Sequence, residues 1–204
     1  MTFKPVLEKY SPGWGNIFDL DFTSEFKEYN INLDNITLES KGSLDGILPQ
    51  DKLREVIYFK DIQESSLYRF YKENINKELI DDLINFDEQT KINFRENYPF
   101  SNYDSSLEFL NSFTGLGAMV CLDQKGFRLP KHFDNRLMMG SFVINLDNNT
   151  DSTKFWINDN LSHSGPTEFG KGVFFFNNHH TLHSIEVQND NIRKALIINV
   201  GINN

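Results

Sequence analysis

Hydrophobic and polar residues are arranged differently in the two halves of the chain. Residues 1–50 mix short apolar stretches with turn residues, as in "SPGWGN" and "ESKGSLDG", which favours short strands and loops. From residue 51 to 113 the spacing of apolar residues becomes helical. The segment "NKELIDDLINF" predicts one amphipathic helix, whose apolar face consists of Leu79, Ile80, Leu83 and Ile84.

A second helix is predicted from "SSLEFLNSF", which has a similar apolar face. Its cap would be Ser105 or Ser106. The residues on its apolar face are Leu107, Leu110 and Phe113.

After residue 116 the pattern changes to short apolar runs separated by Gly, Asn and Asp. The runs are "AMVCLD", "GSFVINLD", "TKFWIN", "GVFFFNN", "HSIEVQ" and "KALIINVG". Short strands joined by short turns favour an antiparallel sandwich or barrel. We therefore predict one mainly β domain with flanking helices. Residues 1–116 supply N-terminal strands and helices, residues 117–201 form the β core, and the helices pack on one sheet.

Composition narrows the possible classes of protein. The chain has 204 residues, 39% of them hydrophobic and 24% charged, which suits one soluble globular domain. Its net charge of −9 disfavours a nucleic-acid groove, and no apolar run is long enough for a membrane span. No secretory signal is visible, and Cys121 is the single cysteine. These features predict a cytoplasmic protein without nucleic-acid or membrane partners.

All five histidines lie in the β-rich half, and their grouping suggests a metal site. The segment "HHTLH" places His179 and His183 four residues apart, which on a helix would form a zinc pair. The zinc-protease motif requires Glu where this chain has His180, and the flanking runs "VFFFNN" and "IEVQ" are typical of strands. We therefore disfavour a zinc protease, and we expect His179 and His180 in a turn and His163 in a loop.

A different set of ligands fits a β fold better. His132 and Asp134 would project to the same side of a strand, because side chains alternate with a period of two. His183 follows a long apolar run and begins another strand. Two histidines and one carboxylate on one face of a metal form the facial triad of non-haem Fe(II) oxygenases, which leaves coordination positions open.

Arg193 supplies an additional indication of function, ten residues after His183 and at the start of the last apolar run. A guanidinium binds a carboxylate through two charge-assisted hydrogen bonds, in a geometry that lysine does not reproduce. The alternative is an arginine at a strand edge that pairs with Glu186 or Asp190. That alternative does not account for the order H-x-D, apolar strand, His, Arg.

This combination resembles the Fe(II)- and 2-oxoglutarate-dependent dioxygenases, whose fold is a double-stranded β-helix, or jelly roll, with helices outside. The resemblance covers residues 117–201. "LDQKGFRLPKHFD" is similar to the family's entry strand, in which a turn glycine, here Gly126, precedes H-x-D. "FGKGVFFFNNHHTLHSIEVQNDNIRKALIINVG" is similar to the closing pattern of the aspartyl/asparaginyl and proline hydroxylase branch.

The resemblance implies a role for four residues. His132, Asp134 and His183 would bind Fe(II), and Arg193 would hold the distal carboxylate of 2-oxoglutarate. The implied reaction consumes O2, releases succinate and CO2, and hydroxylates an unactivated C–H bond of a small molecule, an amino acid or a peptide residue. Ascorbate is a candidate reductant. The carboxylate of Asp134 argues against a halogenase, in which a small residue leaves room for chloride.

Four further residues are weaker candidates, each with a structural alternative. Asn145 would hydrogen-bond the cosubstrate or cap the "LDNN" loop, and Trp156 would line the pocket or fill the core. Arg128 and Arg136 would hold a substrate carboxylate or lie in solvent.

Two other functions stay open from the sequence. One is a jelly-roll (cupin-like) metal-binding protein without 2-oxoglutarate turnover. The other is a metal-dependent isomerase or thiol dioxygenase of similar fold, although that group usually binds its metal with three histidines. The substrate and the oligomeric state have no decisive motif in residues 1–116.

Overall fold

Two antiparallel β-sheets form the centre of the protein in the computed structural model. It describes residues 5–10, 16–31, 53–59, 62–97, 113–134, 138–148, 151–178 and 180–202. The strands are β1 (Val6–Tyr10), β2 (Ile17–Asp21), β3 (Arg54–Tyr58), β4 (Phe113–Asp123), β5 (Arg128–His132), β6 (Met138–Asn145), β7 (Lys154–Ile157), β8 (Asn160–Ser164), β9 (Lys171–Phe176), β10 (His183–Glu186) and β11 (Arg193–Ile202). The helices are α1 (Thr23–Glu28), α2 (Ser66–Asn74), α3 (Lys77–Ile84) and α4 (Glu88–Asn97).

The larger sheet has seven strands in the order β1-β2-β9-β6-β11-β4-β3, and the smaller has four in the order β5-β10-β7-β8. The N-terminal strands β1, β2 and β3 therefore extend the same sheet that contains β4, β6, β9 and β11. The mainly β architecture expected from the sequence is confirmed.

The two faces of the larger sheet have different partners, because side chains alternate along each strand. One face packs against the helices and forms the main hydrophobic core. Its strands contribute Phe18, Val120, Phe142, Phe174, Leu196 and Ile198, and its helices contribute Leu67, Phe70, Ile80 and Leu83. The predicted packing of helices on one sheet is confirmed. The opposite face of the larger sheet looks toward the smaller sheet, and the candidate site lies between them.

The helix predicted from "NKELIDDLINF" is confirmed as α3, with all four residues of its apolar face buried. Asn76 caps it, since its side chain accepts a hydrogen bond from the Leu79 amide at 3.0 Å. The second predicted helix, including Ser105 and Ser106, lies outside the described residues. Its last predicted residue, Phe113, begins β4 instead. None of the described helices is long and apolar enough to cross a membrane.

Two strands were not predicted from the sequence. β8 is an edge of the smaller sheet, and its sequence "NLSHS" contains no apolar run. β5, the other edge, was expected as the strand that carries His132. β3 lies in the region whose spacing suggested helices. The expectation that His163 lies in a loop was wrong: it belongs to β8, its Nε2 is 2.9 Å from Asp19 Oδ1, and its ring stacks on Tyr10.

The close approach of β9 and β6 gives a stability prediction. A Cβ at Gly172 would overlap the carbonyl oxygen of Val143 and lie 2.7 Å from Ile144 Cα, both of which are backbone atoms. Gly172→Ala should therefore lower the free energy of unfolding by about 1–3 kcal/mol, the usual cost of overpacking. Gly117→Ala is the matched control, since no heavy atom lies within 4 Å of its Cβ position. Equal urea midpoints for the two variants would contradict this account of the β6–β9 contact.

Candidate metal centre

Three side chains with metal-binding atoms converge between the two sheets. The ligand atoms of His132, Asp134 and His183 all lie within 4.8 Å of one another, and no other such group occurs among the described residues. Asp134 Oδ1 is 3.6 Å from His132 Nε2 and 3.5 Å from His183 Nε2. The structure thus brings together the three residues that the sequence singled out.

Different elements position the three side chains. His132 ends β5 and His183 begins β10, and the two residues are directly paired across these antiparallel strands. Paired residues project to the same face, which places the imidazole centroids 4.3 Å apart. Asp134 follows the end of β5, so its position comes from the segment after the strand. The expected strand alternation of His132 and Asp134 was wrong in that detail.

Backbone carbonyls orient both imidazoles. His132 Nδ1 lies 2.7 Å from the Pro130 carbonyl oxygen, and His183 Nδ1 lies 2.9 Å from the Thr181 carbonyl oxygen. A carbonyl only accepts, so each Nδ1 must carry the proton and donate it. The lone pair of each Nε2 is therefore directed to the shared space beside Asp134. Metal-binding histidines usually donate from their other ring nitrogen in this way.

Ser141, a residue not predicted from the sequence, holds the carboxylate. Its Oγ donates to Asp134 Oδ2 at 2.7 Å and lies 3.1 Å from Asn199 Oδ1. Ser141 and Asn199 are directly paired on β6 and β11, so both side chains reach the cavity from the larger sheet. This contact occupies Oδ2 and leaves Oδ1 facing the two imidazoles.

The electrostatics of the cluster keep the carboxylate ionised. Burial alone would raise the pKa of Asp134, but attraction to the nearby imidazoles of His132 and His183 and the hydrogen bond from Ser141 outweigh it and hold that pKa well below its usual range. Interaction with Asp134 in turn raises the pKa of His132. A carboxylate that stays charged at neutral pH is available to a cation, for which protons on the histidines would compete.

The cavity around the cluster has a volume of about 170 Å³. Its apolar wall includes Met119, Val143, Phe175, Ile185 and Ile197. This volume is below the range of about 300–1,000 Å³ that is typical of drug-sized ligands, so it suits a small metabolite.

Arg193 lines this same cavity and is only 2% exposed. Its Nη1 donates to Asp123 Oδ2 at 2.9 Å, while its buried Nε has no hydrogen-bond partner. The alternative pairing with Glu186 or Asp190 is not seen: Glu186 pairs with Arg128, and Asp190 pairs with Lys125. A buried guanidinium with an unused donor indicates a site for an anion.

Arg54 is a second guanidinium in the cavity, and no motif in the sequence pointed to it. It binds Asp123 through two hydrogen bonds, from Nε to Oδ1 at 2.5 Å and from Nη2 to Oδ2 at 2.9 Å. The residues lie 69 positions apart, and only the pairing of β3 with β4 brings them together. The only sequence signal for this contact would have been a strand pattern around Arg54, in the first half of the chain.

The three weaker candidates among the described residues, Asn145, Trp156 and Arg128, do not line the cavity. Asn145 Nδ2 donates to the Pro166 carbonyl oxygen at 2.7 Å. Trp156 donates from Nε1 to Ser184 Oγ at 2.8 Å and has Lys131 above its ring. Arg128 is exposed and pairs with Glu186. Arg136 and His179 lie outside the described residues, and His180 lies in the expected turn.

Comparison with solved structures finds the same fold in prolyl hydroxylases. A prolyl hydroxylase from Trichoplax adhaerens, in complex with a hypoxia inducible factor oxygen degradation domain peptide fragment, has a TM-score of 0.58 at 16% identity, covering 91% of this chain and 83% of that chain. A Pseudomonas putida prolyl-4-hydroxylase has a TM-score of 0.51 at 12% identity, covering 89% and 85%. At the level of the fold, the predicted jelly-roll architecture is confirmed.

At the level of sequence, neither the family models nor the curated proteins give a match to the chain. The similarity to the two hydroxylases is therefore one of architecture, and the chemistry must be argued from the cavity itself.

Proposed function

We propose that the protein is an Fe(II)- and 2-oxoglutarate-dependent oxygenase that hydroxylates an unactivated C–H bond. The observation that carries this proposal is the presence of a His–Asp–His cluster and a buried arginine in a single small cavity. Each feature alone also occurs in sites of other function, but together they match one metal and one anionic cosubstrate. The shared fold with two prolyl hydroxylases supports the same reading.

The donor set fits Fe(II). Imidazole nitrogen and carboxylate oxygen suit this metal, and two histidines with one carboxylate would occupy one side of it and leave positions open. His132 and His183 would bind through Nε2, because both Nδ1 atoms are engaged by backbone carbonyls. Asp134 would bind through Oδ1, because Ser141 holds Oδ2.

The charges of the cavity fit a dianion such as 2-oxoglutarate. The bound metal with Asp134 would carry one net positive charge. A second net positive charge lies on the group formed by Arg54, Arg193 and Asp123. A ligand with a carboxylate at each end would complement both sites, and Arg193 would hold the distal carboxylate through charge-assisted hydrogen bonds.

Bound Fe(II), 2-oxoglutarate and O2 would together supply the oxidative decarboxylation to succinate and CO2 and the oxidant for the C–H bond. The chain itself orients these groups and limits water. Phe175 packs its ring 4.6 Å from the His183 ring, and both residues are buried. This apolar wall keeps the charges of the cavity in a low dielectric, where their interactions are strong.

The substrate we infer is a small molecule, an amino acid or a residue within a peptide. The Trichoplax hydroxylase was solved with a peptide fragment, which makes proline-containing peptides the first to test. The cavity itself is filled by the cosubstrate in this proposal, so the substrate would bind at its mouth, where His132 is partly exposed.

The proposal is tested by succinate formation under air. Purified protein with Fe(II), 2-oxoglutarate and ascorbate should release succinate, and a panel of free amino acids and proline-containing peptides should reveal a compound that accelerates it. Asp134→Ala should eliminate the signal. A protein that binds the metal but forms no succinate with any compound would instead be a jelly-roll metal-binding protein, and the hydroxylase proposal would fail.

A further inference from the structure

Three charged side chains form a row across three neighbouring strands of the larger sheet. Asp123 on β4 is directly paired with Arg54 on β3 and with Arg193 on β11. Directly paired residues of antiparallel strands project to the same face, so both guanidiniums meet one carboxylate. Arg54 and Arg193 both line the cavity that contains the metal-binding cluster.

The row carries a surplus of positive charge. Two arginines share a single acid, and their side chains are 10% and 2% exposed, while that of Asp123 is 0% exposed. The acid that lines the cavity, Asp134, is engaged by the two histidines and Ser141. Burying an uncompensated charge is costly, so the surplus favours an anion from outside the chain.

We propose that Arg54 is a positioning residue that neutralises Asp123 and thereby leaves the charge of Arg193 available to the distal carboxylate of the cosubstrate. This inference rests on the proposed function of the same cavity. With Arg193 alone, Asp123 would form a neutral one-to-one pair, and an incoming carboxylate would compete with Asp123 for the same guanidinium. With Arg54 present, Asp123 has its own two-pronged partner.

The contacts of Arg54 suit this role. Its guanidinium makes two hydrogen bonds with one carboxylate, which lysine cannot reproduce, and lies 4.1 Å from the centroid of the Phe127 ring. Burial alone would lower the pKa of Arg54, but its hydrogen bond with Asp123 raises it, so the charge persists. The N-terminal part of the chain thus contributes a charge to the cavity through β3.

The experiment compares binding of 2-oxoglutarate to Mn(II)-loaded protein by calorimetry without O2. Arg54→Gln should weaken 2-oxoglutarate binding by about 10- to 100-fold, the equivalent of one charge-assisted hydrogen bond, and leave Mn(II) binding unchanged. The double variant Arg54→Gln/Asp123→Asn restores the net positive charge and should recover most of the lost affinity. Arg69→Gln, on the exposed surface of α2, is the matched control and should bind like the parent.

Recovery of 2-oxoglutarate affinity in the double variant would show that Arg54 acts through its charge. Removing a second member of a buried network would not repair a packing defect. If the double variant does not fold, 2-oxopentanoate replaces it as the probe. That compound lacks the distal carboxylate, so the parent and Arg54→Gln should bind it equally.

Equal 2-oxoglutarate binding by the parent and Arg54→Gln would overturn the inference, as would a folded double variant that binds no better than the single one. An equal loss of affinity for 2-oxopentanoate would also overturn it. Each of these outcomes is a comparison between the parent and a variant. Failure of the proposed function would instead appear in the parent protein itself, which would then not bind 2-oxoglutarate.

Discussion

Replacing His183 with alanine is expected to abolish tight binding of Fe(II), and with it all turnover. His183 is 7% exposed, and its Nε2 is directed to the space it shares with Asp134, so its loss would remove one of the three ligand atoms of the cluster. Removal of a residue that only orients a metal ligand typically costs about 10- to 100-fold in metal affinity, and loss of a direct ligand should cost more. Anaerobic competition against a coloured chelator measures the change.

His163→Ala is the matched control for this prediction. His163 also lies beside a carboxylate, that of Asp19, but it does not belong to the metal-binding cluster. The His163→Ala substitution should therefore leave Fe(II) affinity unchanged, even if it lowers thermal stability. Unchanged Fe(II) affinity in folded His183→Ala would remove His183 from the metal site.

Replacing Arg193 with alanine is expected to remove 2-oxoglutarate binding while sparing the metal. Truncating one partner of a buried charge pair costs about 2–5 kcal/mol, which corresponds to about a 30-fold or larger rise in Kd. The fold should survive, because Asp123 keeps its two hydrogen bonds from Arg54. Calorimetry without O2 measures both ligands on the same sample.

Lys194→Ala, one residue along β11, is the control for a nonspecific loss of charge on that strand. Lys194 is partly exposed and, unlike Arg193, does not line the cavity, so its loss should leave 2-oxoglutarate binding intact. If Arg193→Ala folded and bound 2-oxoglutarate as tightly as the parent, the carboxylate anchor would have to lie elsewhere.

The cavity-forming strands that are buried on both faces were predicted from the sequence. β6, β9 and β11 contain continuous apolar runs, since one face meets the helices and the other meets the smaller sheet. β8 was missed because it is a polar edge strand. β5 is the other edge and is also polar, and it was expected only because of the H-x-D pair and the similarity to the family's entry strand.

The central residues of the site were selected by order along the chain, and their supporting residues could not be. His132, Asp134, His183 and Arg193 follow a recognisable spacing. Asp123 and Ser141 are ordinary residues of β4 and β6, and their importance depends on which strands lie next to them. Arg54 lies 69 residues from its partner, and no local pattern encodes such a pairing.

The most direct test of the account is an anaerobic titration of the purified protein with Fe(II) and then 2-oxoglutarate, followed in the visible spectrum. Simultaneous binding of both to one centre should produce a weak charge-transfer band that saturates and that is absent with either alone. The same titration of His183→Ala should remain colourless. Absence of the band in the parent protein, under conditions where Fe(II) is bound, would contradict the assignment of this cavity to a 2-oxoglutarate-dependent oxygenase.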